Sequence, residues 1–221
     1  MPTIRTRLYP FHDVSEHDKV NLFSLNSNSG LAGQLVKIVT GAANPQNADG
    51  WSNTAVGVNI DNVTSFRYET KLKVAPTASG DTRFNALGLT LYSTLEQDEN
   101  GLLLKYYPQR AKEIGAVVSG ETVPVATRGI FGLWGNYIDS SLGNVQPGNL
   151  VVVSRSGNGT VGAVDPSNAT NFGTGSSSWI YTRDHVVGKW LTSLPTATNT
   201  GLQNEFSAQG GYALFQLDTK A

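Results

Sequence analysis

Two histidine–aspartate pairs, His12-Asp13 and His17-Asp18, stand five residues apart with Glu16 between them. Imidazoles and carboxylates ligate zinc and harder cations, and a histidine can equally serve as a pH-sensitive contact. The one further histidine is His185, and no His-x-x-x-His or Glu-x-x-His spacing occurs. A solvated turn leading into the Val20–Leu25 segment therefore accounts for the cluster, and no metal or other cofactor is expected. Gly157-Asn158-Gly159-Thr160-Val161-Gly162 satisfies G-x-G-x-x-G literally. A dinucleotide site needs a helix after that pattern, so that the pyrophosphate meets a helix N-terminus. Here Val161 to Val164 runs into Asp165-Pro166, which cannot extend a helix, so the glycines read as a hairpin connection.

Nucleophilic catalysis finds little support. The chain has no cysteine and no G-x-S-x-G elbow, and the sequence cannot assemble Ser178 with Asp184-His185 into a triad. Asp98, Glu99, Glu113 and Glu121 are the carboxylates from which a glycosidase pair would be drawn, and nothing sets them apart from turn and surface carboxylates. No enzymatic activity is expected. Trp51, Trp134, Trp179 and Trp190 could line a sugar-binding face, since an aromatic ring offers an apolar platform, although core and interface packing is their commoner use.

The elements that would position these residues are strands. The 221 residues are 39% hydrophobic and only 15% charged, with 24 Gly and 9 Pro. Abundant Asn, Ser, Thr and Gly disfavour helix interiors, while the apolar fraction and a net charge of −1 argue against disorder. No basic run marks a nucleic-acid surface and no stretch approaches the length of a membrane span. The N-terminal residues lack the pattern of a secretory signal, and the absence of cysteine fits synthesis in a reducing cytosol. The sequons at Asn62, Asn158 and Asn168 are read as chance in so polar a chain.

Phe66 to Val74 alternates apolar and charged residues with a period of two, the pattern of a half-buried antiparallel strand. Further strands are expected over Ala86–Tyr92, Ala116–Val118, Val123–Leu133, Leu150–Val153, Val161–Val164 and Tyr212–Leu217. Asp98-Glu99-Asn100-Gly101 reads as a turn, and Pro108–Ile114 as a short helix with Gly115 just past its end. Residues 1–25 are expected to form an extended N-terminal arm. In it Ile4 and Leu8 share one face, with Arg5 and Arg7 on the other. Residues 26–221 then make a single antiparallel β-barrel or sandwich with long polar excursions near 41–65 and 165–210.

One stretch carries a resemblance. Val123-Pro124-Val125-Ala126-Thr127-Arg128-Gly129 opens a strand. Val145-Gln146-Pro147-Gly148-Asn149 then precedes Leu150–Val153 and the glycine hairpin to Gly162-Ala163. This is similar to the β-barrel capsid decoration (cement) proteins of tailed bacteriophages, although the arm and the 165–210 excursion exceed the minimal family barrel. The resemblance implies a structural virion protein, present in the host cytoplasm during assembly. It would bind the outer surface of an assembled capsid and bridge major capsid protein subunits. It also implies association with copies of itself, a trimer by analogy alone. On that reading the arm docks on capsid protein or a neighbouring copy through Ile4, Leu8 and Tyr9 as apolar anchors, with Arg5 and Arg7 pairing with acidic groups. The rival expectation is a carbohydrate-binding or adhesin module of the fibre or lectin kind.

Overall fold

The computed structural model describes residues 8–11, 14–25, 30–39, 73–118, 120–134, 138–139, 145–154, 156–167, 182–194 and 212–219. Among them run β1 (Leu8–Pro10), β2 (Lys19–Val20), β3 (Ser24–Leu25), β4 (Leu35–Ile38), β5 (Lys73–Pro76), β6 (Ala86–Thr90), β7 (Ser93–Thr94) and β8 (Ala116–Val117). They continue with β9 (Val125–Ala126), β10 (Arg128–Trp134), β11 (Ile138–Asp139), β12 (Leu150–Val153), β13 (Val161–Val164), β14 (Val186–Trp190) and β15 (Tyr212–Asp218). The α-helix among these residues, α1, spans Pro108–Glu113. Proline stands in its first turn and Gly115 beyond its end at φ +61°, the placement the sequence implies.

The strands form two curled half-barrel sheets, so the protein is all-β. One has the order β1-β10-β15-β14-β12-β13-β11 and the other β2-β9-β6-β4-β5-β3, while β7 and β8 make a separate parallel pair. Most neighbours are antiparallel; β3–β5 and β11–β13 are parallel. The main core lies between the sheets. Phe131, Leu133, Val151, Val187, Trp190, Phe215 and Leu217 come from the first sheet, and Leu35, Leu89 and Ala126 from the second. The second sheet is buried on its other face too. There Val36, Val74 and Val125 pack with Phe23, Val117 and Val123, which is why both Leu35 and Val36 are apolar although they point to opposite faces.

The expected strand over Val123–Leu133 is divided at Thr127. Val125–Ala126 pairs with β6 and β2, whereas Arg128–Trp134 pairs with β1 and β15. The chain thus turns a corner from one sheet into the other. Hydrogen bonds hold the corner: Thr127 N donates to Asp18 O at 2.8 Å, and Thr219 donates to Thr127 O through N and through Oγ1, each at 3.0 Å. The strand expected to reach Tyr92 ends at Thr90. Of the strand expected over Phe66–Val74, only its last two residues are described, within β5; residues 66–72 lie outside the described residues.

The glycine hairpin between β12 and β13 has Gly157, Asn158 and Gly159 at φ +70°, +56° and +71°. Leu35 N donates to Gly159 O at 2.8 Å and Gly159 N to Thr77 O at 3.1 Å, so the hairpin clips one sheet to the other. A Cβ on Gly159 would stand 2.7 Å from Leu35 O. The G-x-G pattern therefore serves a left-handed turn and a close backbone approach.

Candidate functional site

The segment expected as an arm enters the sheets at Leu8. Leu8–Pro10 pairs with β10, Lys19–Val20 with β9 and Ser24–Leu25 with β5. Leu8 is opposite Leu133 and buried in the main core, so this anchor is engaged within its own chain. Tyr9, one residue on, faces the other way and is 59% exposed, as is Phe11 at 51%. Gly132 lies opposite Tyr9, and Phe11 N donates to Ile130 O at 3.0 Å just past β1. Ile4, Arg5 and Arg7 lie outside the described residues.

A second group of exposed apolar side chains comes from residues 95–118. This stretch is inserted between β6 and β9, which pair directly through Leu89↔Ala126 and Thr90↔Val125. The β7–β8 pair forms its base. Above the base, Leu104, Ala111, Ala116 and Val118 make a small core with Leu95 and Ile114. The lobe is thus packed on its own residues. Asp98 shapes its turn: Oδ1 accepts from Asn100 N at 2.8 Å and Leu102 N at 2.9 Å, and Gly101 takes φ +78°. From α1, Arg110 reaches Glu99 at 2.5 Å, Glu113 at 3.1 Å and Asp98 Oδ2 at 3.6 Å. Burial works against ionisation of the Asp98 carboxyl, but the N–H groups of Leu102 and Asn100 together with Arg110 outweigh it and hold its pKa below the ordinary value.

The lobe presents a tip. Tyr106 is 68% exposed, Tyr107 50%, Leu102 44% and Leu103 37%. In the run Leu102-Leu103-Leu104 only Leu104 faces the small core. Lys105 Nζ lies 4.8 Å from the centroid of the Tyr106 ring. Where the lobe meets the barrel, a groove of about 540 Å³ is lined by Lys19, Leu91, Tyr92, Val117, Glu121 and Pro124 among others. No periodicity or motif marks this tip in the sequence. Its available signal was five large apolar residues within Leu102–Tyr107, too many for one short segment to bury.

The other candidates are placed as follows. His17 and Asp18 sit in a 3-10 turn capped by Ser15 Oγ; His12 and Asp13 lie outside the described residues. Among the described residues no group of three or more His, Asp or Glu could hold a metal ion. His185 caps its own turn, with Nδ1 accepting from Thr182 N at 3.2 Å, and Ser178 lies outside the described residues. Of the four carboxylates, Asp98, Glu99 and Glu113 converge on Arg110, while buried Glu121 accepts from Val118 N at 2.8 Å. Trp190 is fully buried beside Phe215 and Trp134 is 3% exposed against Tyr212, so neither offers a ring to a sugar. Trp51 and Trp179 lie outside the described residues. Among the described residues no helix is long and apolar enough to cross a membrane.

The chain matches no family model and no curated protein.

Proposed function

We propose that this protein is a structural component of a phage virion. It binds the outer surface of an assembled capsid as a decoration protein and reinforces the shell by bridging major capsid protein subunits, with no bond made or broken. The observation that carries this reading is the exposure of large apolar side chains at two places, Tyr9 and Phe11 along β1 and just past it and Leu102, Leu103, Tyr106 and Tyr107 on the lobe. Aromatic and leucine side chains displayed at the surface suit docking, because such residues supply much of the binding energy at protein interfaces. Two such places on one molecule suit bridging, since the second contact forms at high effective concentration once the first is made. The stretch that resembles decoration proteins adds support: it runs as β9, β10, a turn at Pro147-Gly148 and the β12–β13 hairpin.

The test is co-sedimentation of the purified protein with assembled, undecorated phage capsids. Saturable binding is expected, weakened about tenfold or more by Tyr9→Ser/Phe11→Ser or by Leu103→Ser/Tyr106→Ser, each loss of about 1.4 kcal/mol being a factor of ten. These side chains are solvent-exposed, so the variants should melt within a few degrees of the parent. Capsids that take up no protein, or variants that bind as the parent does, would refute the reading.

A further inference from the structure

The chain contains two Asn-Gly steps, Asn100-Gly101 and Asn158-Gly159. Such a step can modify itself. The amide nitrogen that follows attacks the asparagine Cγ, and glycine, having no Cβ, leaves that approach open. A bond forms between the nitrogen and Cγ, the Cγ–Nδ2 bond breaks, and ammonia leaves with the proton given up by the glycine nitrogen. Water then opens the succinimide ring at either carbonyl, giving aspartate or isoaspartate. The sum is amide plus water to carboxylate plus ammonium, with no other reactant.

The fold treats the two steps differently. Gly159 is buried, its N–H donates to Thr77 O at 3.1 Å, and its carbonyl accepts from Leu35 N at 2.8 Å. The Asn158 carbonyl accepts from Gln34 Nε2 at 3.1 Å. Gln34, Leu35 and Thr77 all lie far from the hairpin in sequence, at or beside strands of the other sheet. Freeing the Gly159 nitrogen therefore means lifting the hairpin off that sheet. Asn100 and Gly101 are both exposed, and beyond its chain neighbours no atom lies within 4 Å of where a Gly101 Cβ would stand. Gly101 N donates to Asp98 O at 3.1 Å, a bond within one tight surface turn that opens locally, without disturbing either sheet.

We infer that Asn100 is a site of spontaneous deamidation and isoaspartate formation in the folded protein, and that the fold protects Asn158. Either product adds a negative charge to the turn that leads to the exposed Leu102 and Leu103. Isoaspartate also adds a methylene to the main chain of that turn, which Asp98 Oδ1 holds through Asn100 N and Leu102 N. The inference does not depend on what the lobe binds.

The full chain is incubated at mildly alkaline pH, in buffer and in unfolding urea, and both sites are followed by peptide mass mapping. In buffer, Asn100 is expected to convert at least about tenfold faster than Asn158, a barrier difference of about 1.4 kcal/mol. In urea the gap should close, since both steps are then free. Isoaspartate is recognised in the Asn100 peptide by its resistance to an endoproteinase that cuts at aspartate. Asn100 left intact in buffer, or Asn158 converting as fast, would overturn the inference. So would a gap that persists unchanged in urea, which would trace the difference to neighbouring residues rather than to the fold.

Discussion

Asp81 lies in the connection between β5 and β6, its carboxylate taking Lys37 Nζ at 2.7 Å, Ala78 N at 2.6 Å and Asn85 Nδ2 at 3.1 Å. Burial alone would raise its pKa, but the donors from Lys37, Ala78 and Asn85 together outweigh that and hold it below the ordinary value of 3.8. A depressed folded-state pKa means that the unfolded chain binds the proton first. The stability Asp81 contributes is therefore fully present above about pH 5 and lost as pH falls through its folded pKa. Urea unfolding at pH 7 and pH 3 should show a smaller acid loss for Asp81→Asn than for the parent. An identical loss in both would show that the carboxylate contributes nothing to acid lability. Gly159 makes a second point at this scale. Alanine there combines a left-handed φ with a Cβ 2.7 Å from Leu35 O, so Gly159→Ala should cost about 2–3 kcal/mol in chemical denaturation. The glycine turn was legible because its conformational need is local. The approach of Leu35 was not, because that residue is more than a hundred positions away.

The lobe is the element in which local and distant reasons meet. Its turn and helix follow from Asp98, Gly101 and Pro108, as the sequence implies, and Arg110 ties turn to helix. The pairs with Glu99 and Glu113 are partly exposed and worth at most about 1 kcal/mol each, and all three pairs lie within the lobe, so Arg110→Ala should leave the global melting temperature nearly unchanged. It should instead speed amide exchange at residues 97–104 by about fivefold, equivalent to about 1 kcal/mol of local opening. Unchanged exchange there would mean that the small core of Leu104 and Ala111 alone holds the lobe. Equal acceleration in β10 and β15 would mean that lobe and sheets open together. The reading of Val123–Leu133 as one continuous β stretch shows the complementary case. The density of strand-forming residues marked the stretch, but the corner at Thr127 depends on Asp18 and Thr219, distant parts of the chain that meet there only on folding.

For the whole molecule, the segment that begins at Leu8 helps to close the structure, as β1 against β10. Removing residues 2–7 spares β1, whereas removing residues 2–10 also takes Leu8 out of the main core and strips an edge from β10. The shorter deletion should melt close to the parent, and the longer one should lose about 2–5 kcal/mol, the usual cost of emptying a buried leucine site. Equal stability of the two would show that β1 adds nothing to the barrel.

Spacing along the chain by itself determined that the protein is all-β, where several of its strands lie and where it turns, because alternation and glycine or proline geometry act over a few residues. Only the tertiary structure decided that Val125 and Ile130 belong to different sheets, that Trp134 and Trp190 are packing residues, that Leu8 faces inward, and that Leu102, Leu103, Tyr106 and Tyr107 are left outside. Those outcomes depend on which distant strands come together, as β1 does with β10 and β10 with β15. An apolar side chain is buried or displayed according to whether such a partner covers it.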